Sequence, residues 1–138
     1  MTIEEKQNEL LQDFGLLDDW LDRYQQIIDL GQALPQPSPQ LHSDDNLIKG
    51  CQSRVWIDCK CENGRLTFTA DSDAVITKGI AALLIEVYNG RTPQEILQAD
   101  LFLIDRLGLK EHLSPTRANG LVAMVEKIKT FAKNHTDS

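Results

Sequence analysis

The stretch RVWIDCKCENGRLTFTA, residues 54–70, sets the fold class, because its apolar positions recur every second residue. Val55, Ile57, Cys59 and Cys61 alternate with Trp56, Asp58 and Lys60, the spacing that puts one set on one face of a strand. Asn63-Gly64 then supplies the positive φ that a tight hairpin needs. Leu66, Phe68 and Ala70 line one face of the returning strand. The segment from Asn46 to Lys49 is long enough to add a short third strand.

On both sides of the hairpin the period is helical. Thr2 and Glu5 form a capping box for a first helix, within residues 1–15, that turns Ile3, Leu10, Leu11 and Phe14 to one side. A second helix starts after Asp18, carries Trp20, Tyr24, Ile27 and Ile28 inward, and is expected to stop at Gly31. LPQPSPQLHSDDN, residues 34–46, holds three prolines in thirteen residues and reads as a polar loop around the body.

After the hairpin, Ser72 or Asp73 is expected to cap a helix bearing Val75, Ile76, Ile80, Leu83, Leu84, Val87 and Tyr88. Thr92-Pro93-Gln94-Glu95 combines a capping box with proline in the first turn. A short helix ends at Gly108, and Ser114-Pro115 opens the last one, with Leu121, Val122, Val125, Ile128 and Phe131 inward. Residues 132–138 are expected to fray. The pattern predicts an α+β domain over 1–138, with an antiparallel sheet of two to three strands and several helices on one of its faces.

Composition narrows the function. The first residues are charged and acidic, unlike a signal peptide, and IAALLI at 80–85 is far too short to span a bilayer. A cytoplasmic protein is expected. The net charge of −7 repels nucleic-acid backbones and anionic membranes, and a basic patch on another protein suits it better. Three cysteines without an export signal point to reduced thiols with some chemistry, not to a disulfide framework.

Of the three, Cys51 stands outside the alternating pattern. Gly50 before it lets the backbone bend, and the amides from Cys51 to Ser53, flanked by Lys49 and Arg54, suit a small anion-binding concavity. Such surroundings raise the thiolate fraction. The position also suits a small buried apolar residue, and spacing leaves both readings open. Cys59 and Cys61 read as core residues of the strand. A disulfide between them is disfavoured, because a strand holds such Cα atoms about 6.8 Å apart with parallel Cβ directions.

A metal site made from three cysteines and a histidine lacks the usual CxxC knuckle, and His42, His112 and His135 are scattered. Asp71, Asp73 and Ser114 read first as helix caps and Arg117 as a solvated charge. No motif for hydrolysis, phosphate binding or dinucleotide binding occurs.

The segments DWLDRYQQIIDLGQALP (19–35), NLIKGCQSRVWI (46–57), ADSDAVITKGIAALLIEVYNGRTPQEIL (70–97) and LGLKEHLSPTRANGLVAMV (107–125) together resemble the SufE family, which includes the CsdE proteins. The resemblance implies a fold like that of SufE and the IscU-type scaffolds. It also implies a sulfur acceptor that takes persulfide sulfur from a cysteine desulfurase of the SufS or CsdA kind, stimulates it, and passes sulfur to an iron–sulfur scaffold or other acceptor. Cys51 matches the acceptor cysteine, and Gly50, Ser53, Asp73, Ser114 and Arg117 become candidates to support it. Pyridoxal phosphate would reside on the desulfurase, leaving this chain without a cofactor of its own. Dimerisation stays open. The alternative is an IscU-like scaffold holding an iron–sulfur cluster or zinc on cysteines. DCKC departs from the family motif and leaves room for a resolving thiol.

Overall fold

A computed structural model of the chain describes residues 1–48 and 53–136. Its centre is the hairpin: β1 (Val55–Glu62) and β2 (Arg65–Ser72) pair antiparallel, with Ile57 opposite Ala70 and Cys61 opposite Leu66. Asn63 and Gly64 take φ of 54° and 76°, the left-handed pair that matches strand twist. The expected third strand is a single bridge between Leu47 and Trp56, so among the described residues the sheet has two strands.

Six α-helices among the described residues surround it: α1 (Ile3–Gly15), α2 (Trp20–Gln32), α3 (Val75–Tyr88), α4 (Pro93–Gln98), α5 (Leu103–Leu107) and α6 (Pro115–His135). Helix α3 packs on β2 and α6 on β1, and the buried side chains of both join Val55, Ile57, Leu66 and Phe68 in one core. Among the described residues no helix is long and apolar enough to cross a membrane.

Both capping boxes form as expected, Thr2 with Glu5 and Thr92 with Glu95, and Gly108 ends α5 in the left-handed region. Several expectations fail for reasons of tertiary packing. Gly31 does not stop α2 but lies buried inside it, where a Cβ would stand 2.7 Å from the Gly79 amide nitrogen. On α2 Ile27 is buried, whereas Trp20, Tyr24 and Ile28 are only half-covered. Val75 and Val122, expected inward, are 59% and 41% exposed. On α6 the buried stripe runs through Leu121, Met124, Ile128 and Ala132. Residues 132–135 form the last turn of α6.

The proline-rich loop is anchored by its own short element. Pro39–His42 form one 3₁₀ turn that packs on both strands and buries Leu41. From there His42 reaches the sheet, its Nε2 lying 2.7 Å from Asp71 Oδ2, and its ring lies 4.5 Å from that of Trp56. Asp71 Oδ1 meets Lys78 Nζ on α3 at 3.2 Å.

Candidate functional site

Gly50 and Cys51, the centre of the expected site, lie outside the described residues. The segments on either side of them are well tied. The Ile48 amide donates to the Val55 carbonyl at 2.8 Å, and the Ile57 amide donates to the Asn46 carbonyl at 3.0 Å. Asn46 in turn uses its side-chain amide to reach the Leu41 carbonyl at 3.2 Å. The chain entering residues 49–52 and the chain leaving them are therefore bonded to each other at their base.

Arg54 is held a second time, from β2. Its amide donates to Asp73 Oδ1 at 3.0 Å, and its carbonyl accepts from the Asp73 amide at 3.2 Å and from Ser72 Oγ at 2.8 Å. Asp73 is thus not the cap expected for α3. The cap residue is Ala74, which has no side-chain acceptor of its own, and Ser72 Oγ takes up the Ala74 amide at 3.2 Å. The sequence could not distinguish an aspartate capping the next helix from one clasping a neighbouring strand, since both place it just before the helix.

The remaining candidates fall into two places. Ser53 follows the undescribed segment directly and is half-buried. Ser114 and Arg117 share the first turn of α6, where Ser114 Oγ accepts the Arg117 amide at 3.3 Å. Ser114 is therefore a helix cap. The Arg117 side chain is exposed and makes no hydrogen bond or ion pair to a described residue. No described hydrogen bond or ion pair links Arg117 to Asp73 or Ser53.

The other two thiols differ from the core reading. Cys59 is half-buried against the core, and Cys61 is exposed near the hairpin tip. Burial, with lesser contributions from Asp58 and Cys61, pushes the Cys59 thiol up to about 12, so it stays protonated and a poor nucleophile at neutral pH. Six residues of extended strand separate Val55 from Cys61, roughly 20 Å. Among the described residues no three His, Cys, Asp or Glu side chains converge as a metal-binding group would require.

Comparison with known proteins gives a consistent result. A family model described as SufE, the Fe-S metabolism associated domain, matches residues 8–132. An uncharacterised SufE-like protein of Rhizobium etli is 39% identical over 131 residues, spanning 91% of this chain and 88% of its own. Another, from Rhizobium meliloti, is 37% identical over 131 residues, with 91% and 94% covered. The solution structure of a hypothetical protein from Thermus thermophilus superposes with a TM-score of 0.80 at 24% identity, covering 96% of this chain and 97% of that one. That last likeness concerns the fold.

Proposed function

The chain belongs to the SufE family, and from that premise we propose that Cys51 accepts sulfane sulfur from a cysteine desulfurase and hands it on to iron–sulfur cluster assembly. The observation that carries the reading is the double anchoring of the chain around residues 49–52, by the Ile48–Val55 bond on one side and the Asp73–Arg54 clasp on the other. A nucleophile that must enter another protein's site gains from firm anchors on either side, because they limit the entropy lost on docking.

The chemistry is thiol exchange. The Cys51 thiolate attacks the outer sulfur of the desulfurase persulfide. The S–S bond of that persulfide breaks, a new S–S bond forms on Cys51, and the desulfurase cysteine leaves as a thiolate. Electrons balance without an external oxidant, and the partner regains the cysteine it needs for its next turnover. This chain is accordingly a covalent carrier and activator of an enzyme. Cys59, held protonated by burial, is a poor competitor for the sulfur. Arg117, with its guanidinium free of described partners, is available to meet an anionic group on the desulfurase.

The test incubates wild type and Cys51→Ser with desulfurase and cysteine and reads both sulfide release and peptide mass. The expected outcome is the mass of one added sulfur atom on the Cys51 peptide and loss of stimulation in the variant. Added sulfur on Cys61 alone, or full stimulation by Cys51→Ser, would overturn the proposal.

A further inference from the structure

A two-stranded sheet has two outer edges, and each presents unpaired amides and carbonyls that invite another strand. On β2 the first half of the edge is covered within the chain. Leu66 exchanges bonds with Gly90 and Arg91, both at 2.8 Å, and the Phe68 amide donates to Asn89 Oδ1 at 2.8 Å. On β1 only the first half is covered, where Val55 and Ile57 bond to the segment around Leu47.

Antiparallel strands direct alternate residues outward, so after Val55 and Ile57 the next outward amides belong to Cys59 and Cys61. No described segment pairs with that half of the edge, and Lys60, Cys61 and Glu62 are exposed. The Cys59 amide is nonetheless occupied: Asp58 Oδ1 accepts it at 2.8 Å.

We infer that Asp58 keeps the outer edge of β1 closed to strand pairing with a second copy of this chain. The second copy is the partner this edge fits. An antiparallel alignment centred on Cys61 sets Lys60 of each copy opposite Glu62 of the other, two attractive cross-strand pairs. Against that attraction the Asp58 carboxylate satisfies the donor that an incoming carbonyl would use, and it holds a negative oxygen where that carbonyl would sit. Asn89 does the same for the Phe68 amide on the opposite edge, so each edge has one outward amide taken by a side-chain oxygen.

The alignment makes a specific test. Two Cys61 residues directly opposite each other have Cα atoms about 5.5 Å apart, within disulfide reach. Asp58→Ala is expected to self-associate at a concentration about tenfold or more below wild type, read by light scattering. On mild oxidation with diamide, which takes up both thiol hydrogens, it is expected to form a covalent dimer that Cys61→Ser abolishes. Asp105→Asn, which removes one exposed charge elsewhere, is expected to behave as wild type. Equal association of Asp58→Ala and wild type, or a dimer indifferent to Cys61, overturns the inference. Wild type provides a check that needs no variant to fold. Its Cys59 amide, accepted by Asp58, is expected to exchange with deuterium more slowly than the outward Cys61 amide, and equal exchange of the two also overturns it.

Discussion

Gln7 has no counterpart in the sequence pattern of α1, yet it is one of the most constrained side chains in the molecule. It is fully buried, its Nε2 donating to the Asp100 carbonyl at 2.9 Å while its Oε1 accepts from Phe102 and Leu103 at 2.9 and 3.0 Å. Those two amides open α5, whose cap residue Phe102 offers no side-chain acceptor. One glutamine thus serves as a remote cap across more than ninety residues of sequence. Gln7→Leu keeps the volume and strands two amides and a carbonyl, so urea unfolding should show a loss of about 3 kcal/mol. A loss below about 0.5 kcal/mol, the range of a surface change, would mean that water replaces the glutamine freely. A polar residue on an apolar helix face carries no label in sequence, because its partners lie on an element that only the fold brings near.

At the scale of elements, the crossing of α2 and α3 rests on two glycines. A Cβ on Gly79 would stand 2.2 Å from the Ile27 carbonyl oxygen, a contact no rotamer can relieve because the obstacle is backbone. Gly79→Ala gains about 1 kcal/mol of helix propensity, but it must push the helices apart, and the overpacking cost of about 1–3 kcal/mol or more wins. Gly15→Ala meets nothing within 4 Å at the end of α1 and should be neutral or slightly stabilising. Thermal unfolding of the two variants side by side checks the contrast, and a Gly79→Ala protein as stable as wild type would show that the helices slide freely.

The elements legible in sequence are those whose cause is local: the alternation of β1 and β2, the Asn63-Gly64 turn, the two capping boxes. Gly31 reads as a stop because a helix-ending glycine and a helix-crossing glycine look identical until the partner helix is known. The inward stripe of α6 is read correctly at Leu121, Val125, Ile128 and Phe131 and misread at one position for a similar reason: Met124 and Val122 are both apolar, and only the packed neighbours decide which one is covered. Around the candidate site, Cys51 stands out by its departure from the strand pattern, whereas the Asp73–Arg54 clasp needs the register of β1 on β2.

For the whole molecule, proton binding sets the range over which the fold is stable. Among the described residues three carboxyls are held below their ordinary range: Glu5 by the Thr2 amide and hydroxyl, Glu95 by the Thr92 amide and, secondarily, its hydroxyl, and Asp71 where burial acts upward but bonds from His42 and Lys78 outweigh it. Their stabilisation is complete above the ordinary carboxylate values near 4 and is lost as pH falls through the depressed folded ones. At the other end burial raises the Cys59 thiol from 9.0 and the Tyr88 phenol from 10.0, both to about 12. Each stays protonated longer when folded, so their contribution is complete below the unfolded values and is lost as pH rises toward 12.

Tyr88 separates the two ends experimentally. It is fully buried and its hydroxyl has no hydrogen-bond partner among the described residues, so the side chain bears the desolvation of a polar group without compensation. Tyr88→Phe keeps the ring and removes that burden. The urea midpoint at neutral pH should rise, by the equivalent of about 1 kcal/mol, the fall above pH 10 should become shallower, and the acid limb should be unchanged because none of its three carboxyls touches the ring. A lower midpoint in the variant would reveal a bound water or other partner on the hydroxyl, and would make Tyr88 part of a polar network reaching toward Asp100, whose charge already adds to the upward shift of the phenol.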